Sequence, residues 1–196
     1  MTETDTQAQS PLTRTVAGAE LPVPGTYAID VSHSAVEFVV RHLGLAKVRG
    51  RFGTFDGAIE IADRPEESTV TVDVEVASID THEPNRDEHL RTNTFFDVPN
   101  HPTMSFRNTR VSGSGTSWIV EGDLTLRGVT HPVTLDVTFE GAGGDPWGGQ
   151  RIAFSASGEI DREQWGMTWN QALETGGFVI GKKVKLELEV EAVKLA

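Results

Sequence analysis

The sequence predicts an all-β domain: eight antiparallel strands closed into an up-and-down barrel, with one short helix between strands 3 and 4. The first observation behind this is a hydrophobic period of two. Residues 69–76 read TVTVDVEV, with Val70, Val72, Val74 and Val76 on one face and Thr71, Asp73 and Glu75 on the other. Residues 183–193 read KVKLELEVEAV, with Val184, Leu186, Leu188, Val190 and Ala192 facing one way. Strict alternation marks half-buried antiparallel strands. Strands with a single apolar face close into a barrel or pair into a two-layer sandwich. The second observation, the short links at 43–47 and 128–130, favours neighbouring hairpins and hence the barrel. A strand of about 12 residues runs about 40 Å and, tilted near 40°, makes an elongated barrel roughly 30 Å tall.

In chain order, residues 1–22 read as a disordered, solvated tail that runs into a stiff Pro22–Val23–Pro24 segment, and 23–196 as the barrel domain. Strands are expected at 35–42, 48–61, 69–79, 103–111, 117–127, 131–140, 150–160 and 182–194. Parity turns Val36, Phe38 and Val40 inward in the first. In the later strands it turns in Met104 and Phe106, then Leu124 and Leu126, then Leu135, then Phe154. Gly50, Gly53 and Gly57 in the second strand read as bulges, and the parity shift from Phe52 to Phe55 fits one. Asn85 followed by Glu88 has the form of a capping box, which starts a helix after Pro84. Residues 162–175 read as an irregular or helical piece, and glycine-rich 141–149 as a mobile loop.

Links alternate between the two ends of an up-and-down barrel. The two longest, 80–102 and 161–181, therefore share one end with the links at 43–47 and 128–130. They carry Leu90, Phe95, Phe96, Trp165 and Trp169, and this end reads as the mouth, because long loops on a rigid scaffold carry function. A filled aromatic core and a ligand cavity both fit the interior side chains.

Composition narrows the chemistry. Lysine plus arginine is 17 against 29 aspartates and glutamates, a formal net charge of −12. A chain this acidic, with no evident lysine/arginine cluster, is not expected to bind nucleic acid or an anionic membrane. The lack of cysteine excludes disulfides, thiolate metal sites and thiol nucleophiles. No run approaches the roughly 20 apolar residues of a membrane-spanning helix. The N-terminus has neither the basic start nor the apolar run of a secretory signal, so the expected location is the cytoplasm. His82–Glu83 lacks the helical HExxH context, and none of the six histidines stands at i, i+4 to another, so no metal site is expected. No GxSxG elbow is present, and Ser112–Gly115 reads as a turn.

Beside this reading stands a resemblance. Tyr27-Ala-Ile-Asp30, His33-Ser34, Val36-Glu-Phe38, His42 and Val48-Arg-Gly50-Arg-Phe52 resemble the opening of YceI-like proteins. Ser78-Ile79-Asp-Thr81, Arg86-Asp87-Glu-His89-Leu90, Phe95-Phe96-Asp97 and His101-Pro102-Thr-Met-Ser105-Phe106 continue the match, as do Gly122-Asp-Leu-Thr-Leu-Arg-Gly128-Val-Thr130 and Asp161-Arg162-Glu-Gln-Trp165-Gly166. The resemblance covers about residues 25–194 in order. It implies an elongated, lipocalin-like barrel that encloses a polyisoprenoid, such as an isoprenoid quinone or prenyl phosphate, or a related lipid. It carries over no catalytic set, so a binding protein rather than an enzyme is expected, with no required cofactor.

The partner implied is a long apolar small molecule, and a homodimer stays open. The expected lumen lining is Phe38, Val40, Phe52, Phe55, Leu90, Phe95, Phe96, Met104, Phe106, Leu124, Leu126, Leu135, Phe154, Trp165 and Trp169. His42, Arg162, His131, Arg86 and His89 are expected to meet a polar head group, since only the mouth can host one without a desolvation penalty. Arg86 pairing with acids of its own helix is an equal alternative. Two other readings stay open: an enzyme acting on an isoprenoid-like molecule, and a ligand-free stress-response or interaction barrel.

Overall fold

The computed structural model describes residues 11–174 and 176–196. Its strands are β1 (Thr13–Val16), β2 (Ala19–Pro22), β3 (Gly25–Ile29), β4 (Ala35–His42), β5 (Ala46–Phe52), β6 (Phe55–Ile61), β7 (Thr69–Glu75), β8 (Ile79–Asp80), β9 (Thr103–Ser114), β10 (Ser117–Leu126), β11 (Val129–Gly144), β12 (Gln150–Asp161) and β13 (Ile180–Lys194). One α-helix, α1, spans Pro84–Arg91. The ladder runs through β12, β11, β10, β9, β7, β6, β3 and β13, and β13 pairs back with β12, so the ring closes. β4 continues the line of β3, and β5 that of β6; β4 pairs with both β13 and β5. The described residues thus form an eight-stave antiparallel up-and-down barrel with one α-helix, and its first three staves are each broken once.

The breaks have local causes. Between β3 and β4, Asp30 caps a 3₁₀ turn at Val31–His33 by accepting from the Ser32 N–H. Ser34 then patches the ladder: its hydroxyl donates to Glu191 O at 3.1 Å and accepts from Glu191 N–H at 2.9 Å. Between β5 and β6 the chain turns a corner at 53–54, where Gly53 N–H bonds Ser78 O at 3.2 Å. Gly50 and Gly57 are not bulges. A Cβ on Gly50 would lie 2.3 Å from the Phe38 ring, and one on Gly57 would lie 2.4 Å from Thr71 O, so both mark close approach.

Three further expectations are corrected. Residues 13–22 are not a disordered tail; β1 and β2 form an antiparallel hairpin, and residues 1–10 lie outside the described residues. The hairpin lies over the barrel end opposite the long links, with Leu21 buried among Tyr27, Ile59, Phe139 and Ile152. Glycine-rich 141–149 is no mobile loop, because β11 runs on to Gly144 and Asp145 closes the turn by accepting from Trp147 and Gly149 N–H. The cap of α1 is Glu83, which accepts from Asn85 and Arg86 N–H, in place of Asn85.

The long links do share one end. Arg127 ties them together, donating to Gly166 O at 2.8 Å and to Asn93 O at 3.1 Å. α1 is fastened to β8 through buried Asp87, which accepts from the Thr81 hydroxyl at 2.5 Å and from Thr81 N–H at 3.0 Å. Outside the barrel, where the first stave breaks, Arg151 bridges Asp30 (2.7 Å), Glu191 (2.5 Å) and Asp145 (3.0 Å).

Two expected outcomes follow from these contacts. Leu21→Ala should destabilise the fold by about 2–5 kcal/mol, as for other buried leucines, read as a lowered Tm; an unchanged Tm would mean that the hairpin is not docked. The Arg151 hydrogen bond, then Ser32 and His33, hold the Asp30 carboxyl well below the usual carboxylate range. The Gly149 N–H, with Arg151 adding, lowers that of Asp145. A depressed folded pKa stabilises above the unfolded value of about 4, and that stabilisation is lost as pH falls below it. Arg151→Met should therefore lower Tm at pH 7 and flatten the decline expected between about pH 4 and pH 2.

Candidate functional site

The barrel interior holds two stacked cavities, about 210 Å³ toward the long links and about 170 Å³ toward the hairpin. They share the walls formed by Ile29, Val72, Phe106, Leu135, Leu188 and Val190, so they succeed one another along one lumen. The inward run on β10 from Trp118 to Leu126 covers about 26 Å of strand, or roughly 20 Å along the axis of a barrel tilted near 40°.

Parity explains the lining. Phe38, Val40, Phe52, Phe55, Met104, Phe106, Leu124, Leu126 and Leu135 wall the mouth cavity. Leu90 reaches it from α1, and Phe95 and Phe96 from the segment after α1. Phe154 lines the far cavity. Trp165 and Trp169 line neither among the described residues. Trp165 is fully buried, its indole N–H donating to Leu124 O at 3.2 Å, and His131 packs edge-on against it at 5.2 Å. Trp169 lies outside and exposed, stacked edge-on against His89 (5.2 Å) and Phe95 (5.6 Å). Both stand in the non-periodic segment after β12, where no strand parity exists to orient a side chain. The sequence reading left Ile29, Ile59 and Ile61 out of the lining, along with Leu21 and Pro22 of the hairpin. Alternation in 25–29 and 59–61 is the signal that finds the isoleucines.

The large rings fit because small residues face them. A Cβ on Gly122 would lie 2.4 Å from the Phe106 ring, and one on Gly158 would lie 2.8 Å from Leu135 Cδ2. Together with Gly50 beneath Phe38, these positions let bulky side chains lie against the wall.

Of the five expected head-group residues, Arg162 alone lines a cavity among the described residues. It follows β12 in a 3₁₀ turn (Arg162–Trp165) whose cap, Asp161, accepts from Glu163 N–H. Arg162 is 4% exposed. Its Nε–H donates to Gly181 O at 3.0 Å and its Nη1 to Met167 O. Its Nη2 is buried with no hydrogen-bond partner. Burial pushes the guanidinium pKa down, against the opposing pull of Glu163 and Asp161. His42 ends β4, half-buried, one inward step past Val40, and lines neither of the two cavities among the described residues. His131 is held by Gln164 O at 3.1 Å. Arg86 pairs neither with a ligand site nor with helix acids, because Thr81 takes it, at 2.7 Å to the hydroxyl and 2.7 Å to the carbonyl. His89 is exposed at the rim.

One group among the described residues has the spacing of metal ligands: Asp30, His33 and Glu191, with ligand atoms within 4.8 Å of one another. Arg151 donates to both carboxylates, so the group is an ion-pair cluster in which a guanidinium already engages an oxygen of each acid.

Comparison with known proteins agrees with this architecture. Residues 27–192 match the model of the YceI-like domain, leaving the hairpin outside the match. A UPF0312 protein of Serratia proteamaculans is 40% identical over 186 residues, covering 91% of this chain and 94% of the relative. One from Staphylococcus epidermidis is 38% identical over 168 residues, covering 84% and 95%. Among solved structures, BcnA of Burkholderia cenocepacia superposes with a TM-score of 0.73 at 19% identity, covering 83% of this chain and 98% of BcnA. The YceI protein of Campylobacter jejuni gives 0.67 at 27% identity, covering 80% and 90%. A polyisoprenoid-binding domain from Saccharophagus degradans gives 0.61 at 16% identity, covering 86% and 98%. By this match and these relatives, the chain belongs to the YceI-like family.

Proposed function

We propose that the protein binds and carries a long apolar molecule with a polar head, a polyisoprenoid of the quinone or prenyl phosphate type, held along the barrel lumen. The observation that carries this reading is the combination of an apolar lumen and, in the wall of its mouth cavity, Arg162, whose buried Nη2 has no hydrogen-bond partner. A buried donor left unpaired costs about 1–3 kcal/mol. An occupant whose oxygen accepts from Arg162 Nη2 removes that penalty, and its tail lies where only hydrocarbon is welcome. The fold shared with the Saccharophagus degradans polyisoprenoid-binding domain supports the same reading. Family and fold favour a binding protein over an enzyme.

The apolar term is ample. At about 0.8 kcal/mol per buried CH₂, a five-carbon isoprene unit contributes roughly 4 kcal/mol gross. Eight units would pass the practical ceiling of about 20 kcal/mol, so chain ordering and prior aggregation of the ligand must take back much of it. The tail therefore supplies affinity in excess, and the head supplies selection.

Organic extraction of the purified protein followed by mass spectrometry should return a prenyl lipid. Protein that is apo and takes up no prenyl or acyl lipid would overturn the reading. Arg162→Met should weaken binding of a prenyl phosphate by about 1–3 kcal/mol, the scale of a lost charge-assisted bond. It should barely change binding of an uncharged hydrocarbon of equal length, with both measured by displacement titration on protein whose fold is checked by Tm.

A further inference from the structure

A water-insoluble occupant must be exchanged with the phase in which it dissolves. Resting on the carrier reading, we propose that the loop end of the barrel is a peripheral docking collar for an anionic lipid bilayer, through which the occupant passes between membrane and lumen. Three sets of observations converge on this end.

The first is exposed apolar surface. Leu43 and Leu45 flank Gly44 in the β4–β5 turn, and Leu45 is 79% exposed. Phe178 is 55% exposed, and Trp169 is exposed as well. Backbone bonds gather them on one rim. Leu43 N–H donates to Val179 O at 2.8 Å, and the Asn170 side chain bonds both N–H and C=O of Ile180. Leucine and aromatic side chains with basic neighbours are the residues that settle into the headgroup boundary.

The second is charge. No acid stands between Glu37 and Asp56, a stretch that carries Arg41, His42, Lys47, Arg49 and Arg51. Glu187 and Asp80 pair with Arg49 and Arg51. Arg41 and Lys47 remain on either side of the turn, with Arg41 donating to Leu45 O at 3.1 Å. On the same rim, Glu163 is taken by Lys182, leaving Glu174 as the exposed acid of the facing segment. In a chain of net charge −12, this basic turn faces an anionic surface while the rest of the protein is repelled by it. The acidic composition thus hides a local exception and orients it.

The third is continuity. Exposed Trp169 touches Phe95 at 5.6 Å, and Phe95 is buried and lines the mouth cavity. An unbroken aromatic path therefore leads from the rim into the lumen, while the hairpin covers the other end.

The test is flotation of the full chain with vesicles of phosphatidylcholine alone or mixed with phosphatidylglycerol, paired with uptake of dansyl-labelled geranylgeranyl phosphate from vesicles and from detergent. Wild-type protein should float with the mixed vesicles. The L43S/L45S variant should partition about tenfold more weakly and draw the probe from vesicles correspondingly more slowly. It should bind the probe from detergent as wild type does. R41S/K47S should lose the preference for phosphatidylglycerol. Trp147→Ser, 87% exposed at the opposite end, should change nothing. Wild-type protein that ignores both vesicle types, collar variants that float as wild type, or membrane association that needs a partner protein would each overturn the collar. Failure to take up the probe from detergent would overturn the carrier reading, while flotation would still decide the collar.

Discussion

A barrel exists only if every strand edge finds a partner, and here that requirement converges on β13. One of its edges pairs with β12 from Lys183 to Val193. Its other edge serves two strands, β4 along 180–189 and β3 along 192–194. Between them the first stave breaks, and the hydroxyl of Ser34 accepts from the Glu191 N–H that the gap would orphan, while it joins the Asp30 N–H in donating to Glu191 O. The ion-pair cluster of Asp30, Glu191 and Arg151 clasps the outside of the same point. The residues Asp30, His33 and Ser34, which open the family resemblance, therefore serve closure of the ring. A buried backbone group without a partner costs as much as a lost hydrogen bond, so a seam left open there would weaken the wall on both sides of the lumen.

The barrel was legible because alternation is a property of single strands and survives without knowledge of neighbours. Each inward run on β7, β9, β10 and β13 read correctly from parity alone. What was not legible depended on partners. The β1–β2 hairpin is two four-residue strands around Ala17–Gly18, too short and polar to show a period, and it is held by Leu21 packing on residues far away in sequence. Residues 141–144 look like a loop by glycine content, yet they are strand because β12 lies opposite them. Glu83 is an unusual helix cap, and Pro84 at the first helical position favoured a start that sequence placed two residues late.

The site divides the same way. Strand residues of the lining followed from parity, while Trp165 and Trp169 did not, since a 3₁₀ turn and an irregular segment carry no period. Arg162 stood among the expected head-group residues, but the isolation of its Nη2 is a feature that no sequence displays. The positive turn at Arg41–Lys47 was invisible for a different reason. Net charge averages over the surface, and only the fold shows that Arg49 and Arg51 are ion-paired while Arg41 and Lys47 meet no acid among the described residues.

The glycines behind the lumen rings carry a consequence for its calibre. Phe38 and Phe106 rest in recesses that exist because Gly50 and Gly122 have no side chain. An alanine in either recess would not touch anything in the channel, yet it would lever a ring off the wall and across the axis. The bore of this tube is therefore gauged from behind its lining, and a single methyl group placed in the wall would narrow it more than many exchanges among the residues that face the lumen.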